Sequence, residues 1–189
     1  MPDKKRHDLT GVRAYLGLGS NVGPREFNVL SAARMIDSAS VSVERVSSLY
    51  EAEPVGCAPM RDFINAVIQV NSLLCPEDLL KRLQALEKDL GRQTGHNEPR
   101  TLDIDVIAFG DLVCRTGQLT IPHPRYRSRL FVLAPLAEIA PGFRCPQTGA
   151  GAAAMLDDVT QRQTVTRVSA RELFPSRSAG VCTHESKIN

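Results

Sequence analysis

Apolar and polar side chains alternate in one segment of the chain, Pro99-Arg100-Thr101-Leu102-Asp103-Ile104-Asp105-Val106-Ile107. A period of two residues is typical of a β-strand with one buried face, because successive side chains point to opposite sides of a sheet. The segment therefore predicts a strand with an apolar face and an acidic face. On the acidic face Asp103 and Asp105 would stand about 6 to 7 Å apart, at a rise of about 3.3 Å per residue.

Two carboxylates at this separation repel each other unless a cation lies between them. Mg²⁺ is commonly held by one or two carboxylates together with substrate phosphates, and the guanidinium of Arg100 would suit phosphate oxygens. A solvated polar face explains the same acidic pair, and for the pair alone it is the more common case. The strand by itself leaves both interpretations open.

The length and composition indicate an ordinary globular chain. Its 189 residues suit one domain, and a charged fraction of 23% and a hydrophobic fraction of 42% are typical of folded proteins. A net charge of +2 gives no general attraction to nucleic acid or to an anionic membrane. We predict a single domain over residues 11–174, a flexible N-terminus at 1–10 and a disordered tail at 175–189.

The cysteines and the hydropathy indicate a compartment. The five cysteines form no C-x-x-C pair and no zinc-ligand cluster, and such an odd, scattered set is typical of reduced thiols. No segment approaches the run of about 18 to 20 apolar residues that crosses a bilayer, and no apolar core follows the basic N-terminus. We therefore predict a cytoplasmic protein.

Strands and helices follow one another along the chain in the order βαββαβ. Alternation predicts the strands, and apolar residues at helical spacing predict helices that begin near Pro24 and Pro76. The predicted strands lie at 12–18, 41–50, 63–74 and 103–109, and the helices at about 24–36 and 76–90. Further helices at 131–139 and 152–158 and a strand at 165–168 would close the domain.

This order predicts an α+β, ferredoxin-like fold, in which an antiparallel sheet carries helices on one face. The extra C-terminal elements would cover the other face. We expect the first and fourth strands to be central, so that the turn after Leu18 lies near the acidic strand.

A glycine-containing segment, Gly17-Leu18-Gly19-Ser20-Asn21, looks like a phosphate loop. It lacks the lysine of the G-x-x-x-x-G-K-[ST] motif, and Val22 replaces the last glycine of G-x-G-x-x-G. Neither nucleotide-binding fold is supported. We predict a tight strand exit that lies beside a ligand or another backbone segment.

Basic residues lie on both sides of the acidic strand in sequence. An acidic pair flanked by arginines is typical of a site for Mg²⁺-bound polyphosphate, where catalysis is mostly positioning and charge neutralisation. A scattered surface set is an equally good interpretation of these residues alone. The basic set consists of Arg92, Arg100, Arg125, Arg127 and Arg129, with His123.

Two aromatic residues could contact a ligand. Phe63 begins a predicted strand and Phe131 follows the arginines, and each alone is more often a core residue. The polar Asn65 shares a strand face with Phe63, and this pairing makes a site for a flat heterocycle plausible.

Several blocks, from about Val12 to about Pro146, resemble the 6-hydroxymethyl-7,8-dihydropterin pyrophosphokinase family in their order and spacing. The blocks PRTLDID and IPHPR are specific to that family. The resemblance implies a transferase of folate biosynthesis that moves the β,γ-diphosphate of ATP to the hydroxymethyl oxygen of a reduced pterin and releases AMP. The matching residues are Leu18-Gly19-Ser20-Asn21, Ser48-Leu49-Tyr50, Phe63-Ile64-Asn65-Ala66, Gly91-Arg92, the segment 99–105, Ile121-Pro122-His123-Pro124-Arg125, Arg129 and Phe131.

The same resemblance implies roles for individual residues. Asp103 and Asp105 would hold two Mg²⁺ ions, and Arg92 and Arg100 would clamp the phosphates as further catalytic residues. Residues implied to bind ATP are Gln84, Glu87, Arg92, Arg100, Val106, Thr120, His123 and Arg129, and those implied to bind the pterin are Val55, Phe63, Asn65, Asp103 and Phe131.

Alternatives stay open at this point. Asn97, Glu98, Ala52, Glu53 and Gln118 depart from the family pattern, which leaves room for a related enzyme that acts on a different hydroxymethylpterin. A non-catalytic ferredoxin-like binding module is a second alternative, although 5% aromatic residues and no Trp give little surface for RNA. We expect small-molecule partners, ATP and a reduced pterin, no nucleic acid and no membrane, and a monomer with a weak homodimer as the alternative.

Overall fold

The computed structural model describes residues 10–55, 60–91, 99–159 and 163–169. The predicted disordered tail and all but the last residue of the predicted flexible N-terminus lie outside these ranges. The described elements are β1 (Val12–Ser20), α1 (Arg25–Ile36), β2 (Val41–Val46), β3 (Leu49–Ala52), β4 (Phe63–Ser72), α2 (Pro76–Asp89), β5 (Asp103–Phe109), β6 (Cys114–Arg115), β7 (Thr120–Ile121), a 3₁₀ turn (Tyr126–Ser128), α3 (Leu130–Ile139), α4 (Ala152–Asp157) and β8 (Val165–Ser169).

The main sheet is antiparallel and has the strand order β5-β1-β4-β3-β8, with β2 also paired to β4. This is the predicted ferredoxin-like core, with β8 added beside β3. The prediction that the acidic strand β5 is central is wrong, because within the described sheet β5 pairs only with β1. The expected proximity holds, since β1 lies between β5 and β4 and its C-terminal end pairs directly with the start of β5.

The single strand predicted over 41–50 is wrong as well, because it is divided into β2 and β3. At the break, the Ser47 N–H donates to the Val67 carbonyl oxygen at 3.0 Å, and the Ser47 hydroxyl accepts from the Val67 N–H at 3.0 Å. A side-chain oxygen thus replaces a backbone acceptor of the ladder. As a result β2 and β3 pair with different parts of β4.

The sheet buries an apolar core on each face. On one face, Leu16 and Leu18 of β1 pack with the apolar sides of α1 and α2. On the other, Tyr15, Val67 and Ile107 pack with α3 and α4. The C-terminal helices therefore cover the second face, as predicted. None of the described helices is both long enough and apolar enough to cross a membrane.

Candidate active site

Three strands bring an acid, a glycine and an amide into one row of the sheet. Gly19 of β1 pairs with Asp103 of β5 on one side and with Asn65 of β4 on the other. Residues paired in this way project from the same face, and neighbouring strands lie about 4.8 Å apart. In the next row Gly17 lies between Asp105 and Val67.

The glycine of this row leaves open space where other residues would place a side chain. A Cβ built on Gly19 would lie 3.3 Å from Asn65 Oδ1 and 3.7 Å from the Phe63 ring. Gly17 and Gly19 of the predicted strand exit lie within β1, which ends at Ser20. A larger residue at position 19 would occupy the space between the acid and the amide.

A cavity of about 520 Å³ opens above this row. Its size is in the range of pockets that take small ligands, and apolar, polar and charged groups meet in it. Of the residues to which the resemblance assigns a role, eleven line it, namely Val55, Phe63, Asn65, Gln84, Glu87, Arg100, Asp103, Asp105, His123, Arg129 and Phe131.

Three other residues implied to bind ATP are not among the described residues that line the cavity. Arg92 lies in the segment 92–98, outside the described residues, as do Asn97 and Glu98. Val106 is buried on the opposite face of β5 and Thr120 is in β7, and neither side chain lines the cavity. Their contacts with ATP stay predictions.

Each carboxylate of the acidic pair faces a cationic side chain. Arg100 Nη1 lies 2.8 Å from Asp103 Oδ1, and Arg129 Nη1 lies 3.4 Å from Asp105 Oδ2. The two arginine side chains are 13% and 18% exposed and their carboxylate partners 27% and 40%, so solvent screens these pairs only in part. The acidic face of β5 is thus part of a charged cluster, which favours the site interpretation over the plain polar face.

Arg100 is held in place through its backbone by Asn21. The Arg100 N–H donates to Asn21 Oδ1 at 2.8 Å, and the Asn21 N–H donates to the Arg100 carbonyl oxygen at 3.2 Å. Among the described residues, Arg100 Nε is buried and has no hydrogen-bond acceptor. Because buried donors are normally paired, this N–H is suited to an anionic ligand.

His123 presents one ring nitrogen to the acidic pair. Its Nδ1 accepts from the Arg125 N–H at 3.2 Å, so the ring proton is assigned to Nε2, which lies 3.7 Å from Asp105 Oδ2. Burial lowers the pKa of His123, and the Asp105 carboxylate opposes this effect only in part. The neutral imidazole at pH 7 therefore offers one N–H donor.

Glu87 connects α2 to the acidic strand. It is 4% exposed, and its Oε1 accepts from the Ile104 N–H at 2.8 Å. A third acidic side chain, bonded to the backbone beside Asp103 and Asp105, is thus part of this wall of the cavity.

The donor set fits Mg²⁺. Asp103 and Asp105 supply hard oxygen ligands, and the described ranges contain no group of three or more His, Cys, Asp or Glu residues arranged to hold a metal ion. Mg²⁺ is typically bound by one or two carboxylates and completes its shell with phosphate oxygens and water. Two carboxylates beside arginine side chains, which suit phosphate oxygens, are that kind of site.

Sequence reasoning missed several residues of the site. Leu80 and Ser128 line the cavity, and Asn21, which is 3% exposed, bonds to the Arg100 backbone beside it. No periodic pattern marks Ser128, because only the tertiary fold brings its loop to the cavity. Asn21 was named in the sequence but its bond to Arg100 was not, although a side chain that bonds to a neighbouring backbone is common directly after a glycine turn.

Comparison with known sequences agrees with this geometry. The sequence model of the family described as 7,8-dihydro-6-hydroxymethylpterin-pyrophosphokinase (HPPK) matches residues 15–141. The chain belongs to the HPPK family. The match includes both glycines of β1, the acidic strand and the arginines of the cavity.

Individual HPPK relatives are similar over most of the same region. A 2-amino-4-hydroxy-6-hydroxymethyldihydropteridine pyrophosphokinase of Bacillus subtilis is 44% identical over 128 residues, which are 67% of this chain and 77% of that protein. The protein of the same name from Synechocystis is 43% identical over 138 residues, 72% of this chain and 70% of that protein.

Solved structures share the HPPK fold. The wild-type HPPK-DHPS of Plasmodium falciparum superimposes with a TM-score of 0.63 at 13% identity, covering 80% of this chain and 42% of that one. This chain therefore spans less than half of that protein. At this identity the likeness supports the ferredoxin-like fold alone.

Proposed function

We propose that this protein transfers the β,γ-diphosphate of ATP to the hydroxymethyl oxygen of 6-hydroxymethyl-7,8-dihydropterin and releases AMP. The observation that carries the proposal is the row Asp103–Gly19–Asn65, which sets a carboxylate and an amide on either side of an open gap. Membership of the HPPK family supports the same activity.

The pterin would occupy the β4 side of the cavity. Asn65 is 6% exposed, and its amide nitrogen donates to the carbonyl oxygens of Tyr50 and Phe63, which fixes its orientation. Its Oδ1 faces the space above Gly19, where it can accept from the polar edge of a pterin. Phe63 and Phe131 line the same cavity and supply aromatic surface for the rings.

The triphosphate would occupy the β5 side. Arg100, Arg129 and the Nε2–H of His123 are directed at Asp103 and Asp105, so a phosphate placed there meets three donors. Such preorganised donors stabilise charge that develops in a transition state. Arg92, as a further phosphate clamp, stays a prediction.

Asp103 and Asp105 would hold Mg²⁺. The family resemblance implies two such ions. When bound there, the metal neutralises the phosphates and the charge that builds up on departing AMP. The arginines keep the two carboxylates and the phosphates in fixed relative positions, which is most of what an in-line transfer requires.

The transfer makes one bond and breaks one. The hydroxymethyl oxygen attacks the β-phosphorus, and the bond from that phosphorus to the α,β-bridging oxygen breaks. AMP leaves with the bridging oxygen and its electron pair. The hydroxyl proton passes to water through the carboxylate of Asp103, the acid that lies in the row of Asn65.

A second candidate is a pyrophosphokinase for a different hydroxymethylpterin. It is favoured by one observation, that Ala52 and Glu53, which depart from the family pattern, line the cavity. The monomeric state and the cytoplasmic location stay predictions.

Chromatography of the products tests the proposal. With Mg²⁺, ATP and 6-hydroxymethyl-7,8-dihydropterin, the protein should form AMP and a pterin diphosphate in equal amounts. Formation of ADP, or no turnover by folded protein, would exclude it. Turnover of a pterin with a different side chain at higher kcat/KM than this substrate would favour the second candidate.

A further inference from the structure

The side chain of Gln163 forms hydrogen bonds with the backbone on both sides of Arg129, a residue that lines the cavity. Its Oε1 accepts from the Leu130 N–H at 3.0 Å, and its Nε2 donates to the Ser128 carbonyl oxygen at 3.4 Å. The two bonds bracket Arg129. Leu130 is the first residue of α3, where backbone N–H groups have no partner within the helix, so Gln163 caps this helix from a distant part of the chain.

The bracketed residue orients two groups of the cavity. Arg129 contacts Asp105 at 3.4 Å, and its guanidinium lies over the Phe131 ring, 5.4 Å from the ring centre. Ser128 also lines the cavity. A change in the backbone at 128–130 would therefore move a phosphate-binding cation and an aromatic wall together.

Gln163 is itself held by a strand. β8 begins two residues later and pairs with β3, where Val165 lies opposite Ala52 of the cavity wall. Arg167 of β8 donates to the Ser48 hydroxyl at 2.6 and 2.9 Å and lies 3.0 Å from Glu138 of α3. The segment 163–169 is thus fixed to β3 and to α3.

This segment lies outside the part of the chain that matches the family, which ends at residue 141. We propose that Gln163 is a positioning residue for the transfer reaction, which acts by fixing the backbone that carries Arg129. The inference rests on the proposed function, since it assigns Arg129 to the bound triphosphate.

A double-mutant cycle tests the inference. Gln163→Met keeps the length of the side chain and removes both hydrogen bonds, and Thr164→Ala changes the exposed neighbouring residue as the matched control. We expect Gln163→Met to lower kcat/KM for ATP about tenfold, the size of one or two lost hydrogen bonds. Thr164→Ala should stay within twofold.

The same substitution is then made in an Arg129→Ala background. If Gln163 acts through Arg129, Gln163→Met should there cost less than twofold. A tenfold loss in both backgrounds, or no loss in the wild-type background, would overturn the proposal. A loss that disappears when the assay is run well below the melting temperature of the variant would show a merely structural cap and would also overturn it.

Hydrogen exchange separates this inference from the proposed function. The Leu130 N–H should exchange at least tenfold faster in Gln163→Met than in wild type, whatever reaction the protein catalyses. Faster exchange in a protein that forms no AMP would refute the proposed function, and the positioning role with it, while confirming the hydrogen bond from the Leu130 N–H to Gln163. Unchanged exchange would refute the positioning role, even with normal turnover.

Discussion

Asp103 and Asn65 lie in the same cross-strand row of the sheet, one on each side of Gly19. The register of three strands therefore fixes the spacing between the acid that would bind metal and phosphate and the amide that would bind the pterin. Because a slip of one residue would turn either side chain to the opposite face, the pairing of the sheet itself sets the geometry of the transfer.

Filling the gap in this row should block the pterin. Gly19→Val places a side chain whose Cβ would already lie 3.3 Å from Asn65 Oδ1. We expect KM for the pterin to rise at least tenfold, while ATP binding measured by calorimetry without pterin changes less than twofold. Gly117→Val is the control, since a Cβ there meets no atom within 4 Å. Unchanged pterin affinity in Gly19→Val would mean that the pterin does not lie above this row.

Removing the support below Arg100 should reduce turnover. Asn21→Ala leaves the Arg100 N–H without its acceptor and breaks the 3.4 Å bond from the Asn21 amide to the Arg61 carbonyl oxygen. We expect kcat to fall by about 10- to 100-fold and the free energy of unfolding to fall by about 1 to 3 kcal/mol, the cost of an unpaired buried group.

Asn21→Asp is the matched variant for this support. It keeps an acceptor for the Arg100 N–H but places a carboxylate at a position that is only 3% exposed, facing the Arg61 carbonyl oxygen, so it should recover part of kcat and none of the lost stability. Equal losses in the two variants, measured by steady-state kinetics, would show that the bond to Arg100 is not the important one.

Arg25 of α1 holds the segment that leads into Phe63. Its Nη1 donates to the Asp62 carbonyl oxygen at 2.6 Å and lies 2.8 Å from Glu51 Oε1. The Glu51 side chain is 36% exposed, so solvent screens the ion pair, and most of the effect should come from the carbonyl contact. We expect Arg25→Ala to raise KM for the pterin several-fold and to lower the free energy of unfolding by about 1 kcal/mol.

Arg34→Ala, at an exposed position in the last turn of the same helix, is the control for Arg25. It should change the free energy of unfolding by no more than about 0.5 kcal/mol and leave KM unchanged. If the two substitutions raise KM equally, net charge rather than the position of Phe63 would explain the effect.

The acidic pair should determine the Mg²⁺ requirement. Asp105→Asn keeps the size of the side chain and removes one anionic ligand, so turnover should fall at least 100-fold, with a higher Mg²⁺ concentration for half-maximal rate. Asp111→Asn, in the exposed turn after β5, should behave as wild type. A normal Mg²⁺ titration of Asp105→Asn would remove Asp105 from the metal site.

Local pattern was sufficient for much of the fold. Strict alternation predicted β5, and the observed strand Asp103–Phe109 has the predicted bounds. The break at Ser47 was missed because a hydroxyl that substitutes for a backbone acceptor leaves the hydrophobic alternation intact. The edge position of β5 was missed because strand order depends on the path of the whole chain, which local periodicity does not record.

The site residues also fall into those that the sequence identifies and those that only the structure reveals. Residues in distinctive blocks, such as Asn65 and Asp103, were identified from the sequence and line one cavity, and the predicted family is confirmed. Gln163 and Ser128 carry no such signal, since their importance comes from contacts between segments 35 residues apart. Contacts of this kind require the tertiary structure.

The most direct test of the account follows the β-phosphorus of ATP. The protein is incubated with Mg²⁺, 6-hydroxymethyl-7,8-dihydropterin and ATP labelled only at that phosphorus, and the products are separated. Diphosphate transfer predicts that all label lost from ATP appears in the pterin product and none in the released nucleotide. Label recovered in ADP, with an unlabelled phosphopterin, would contradict the account.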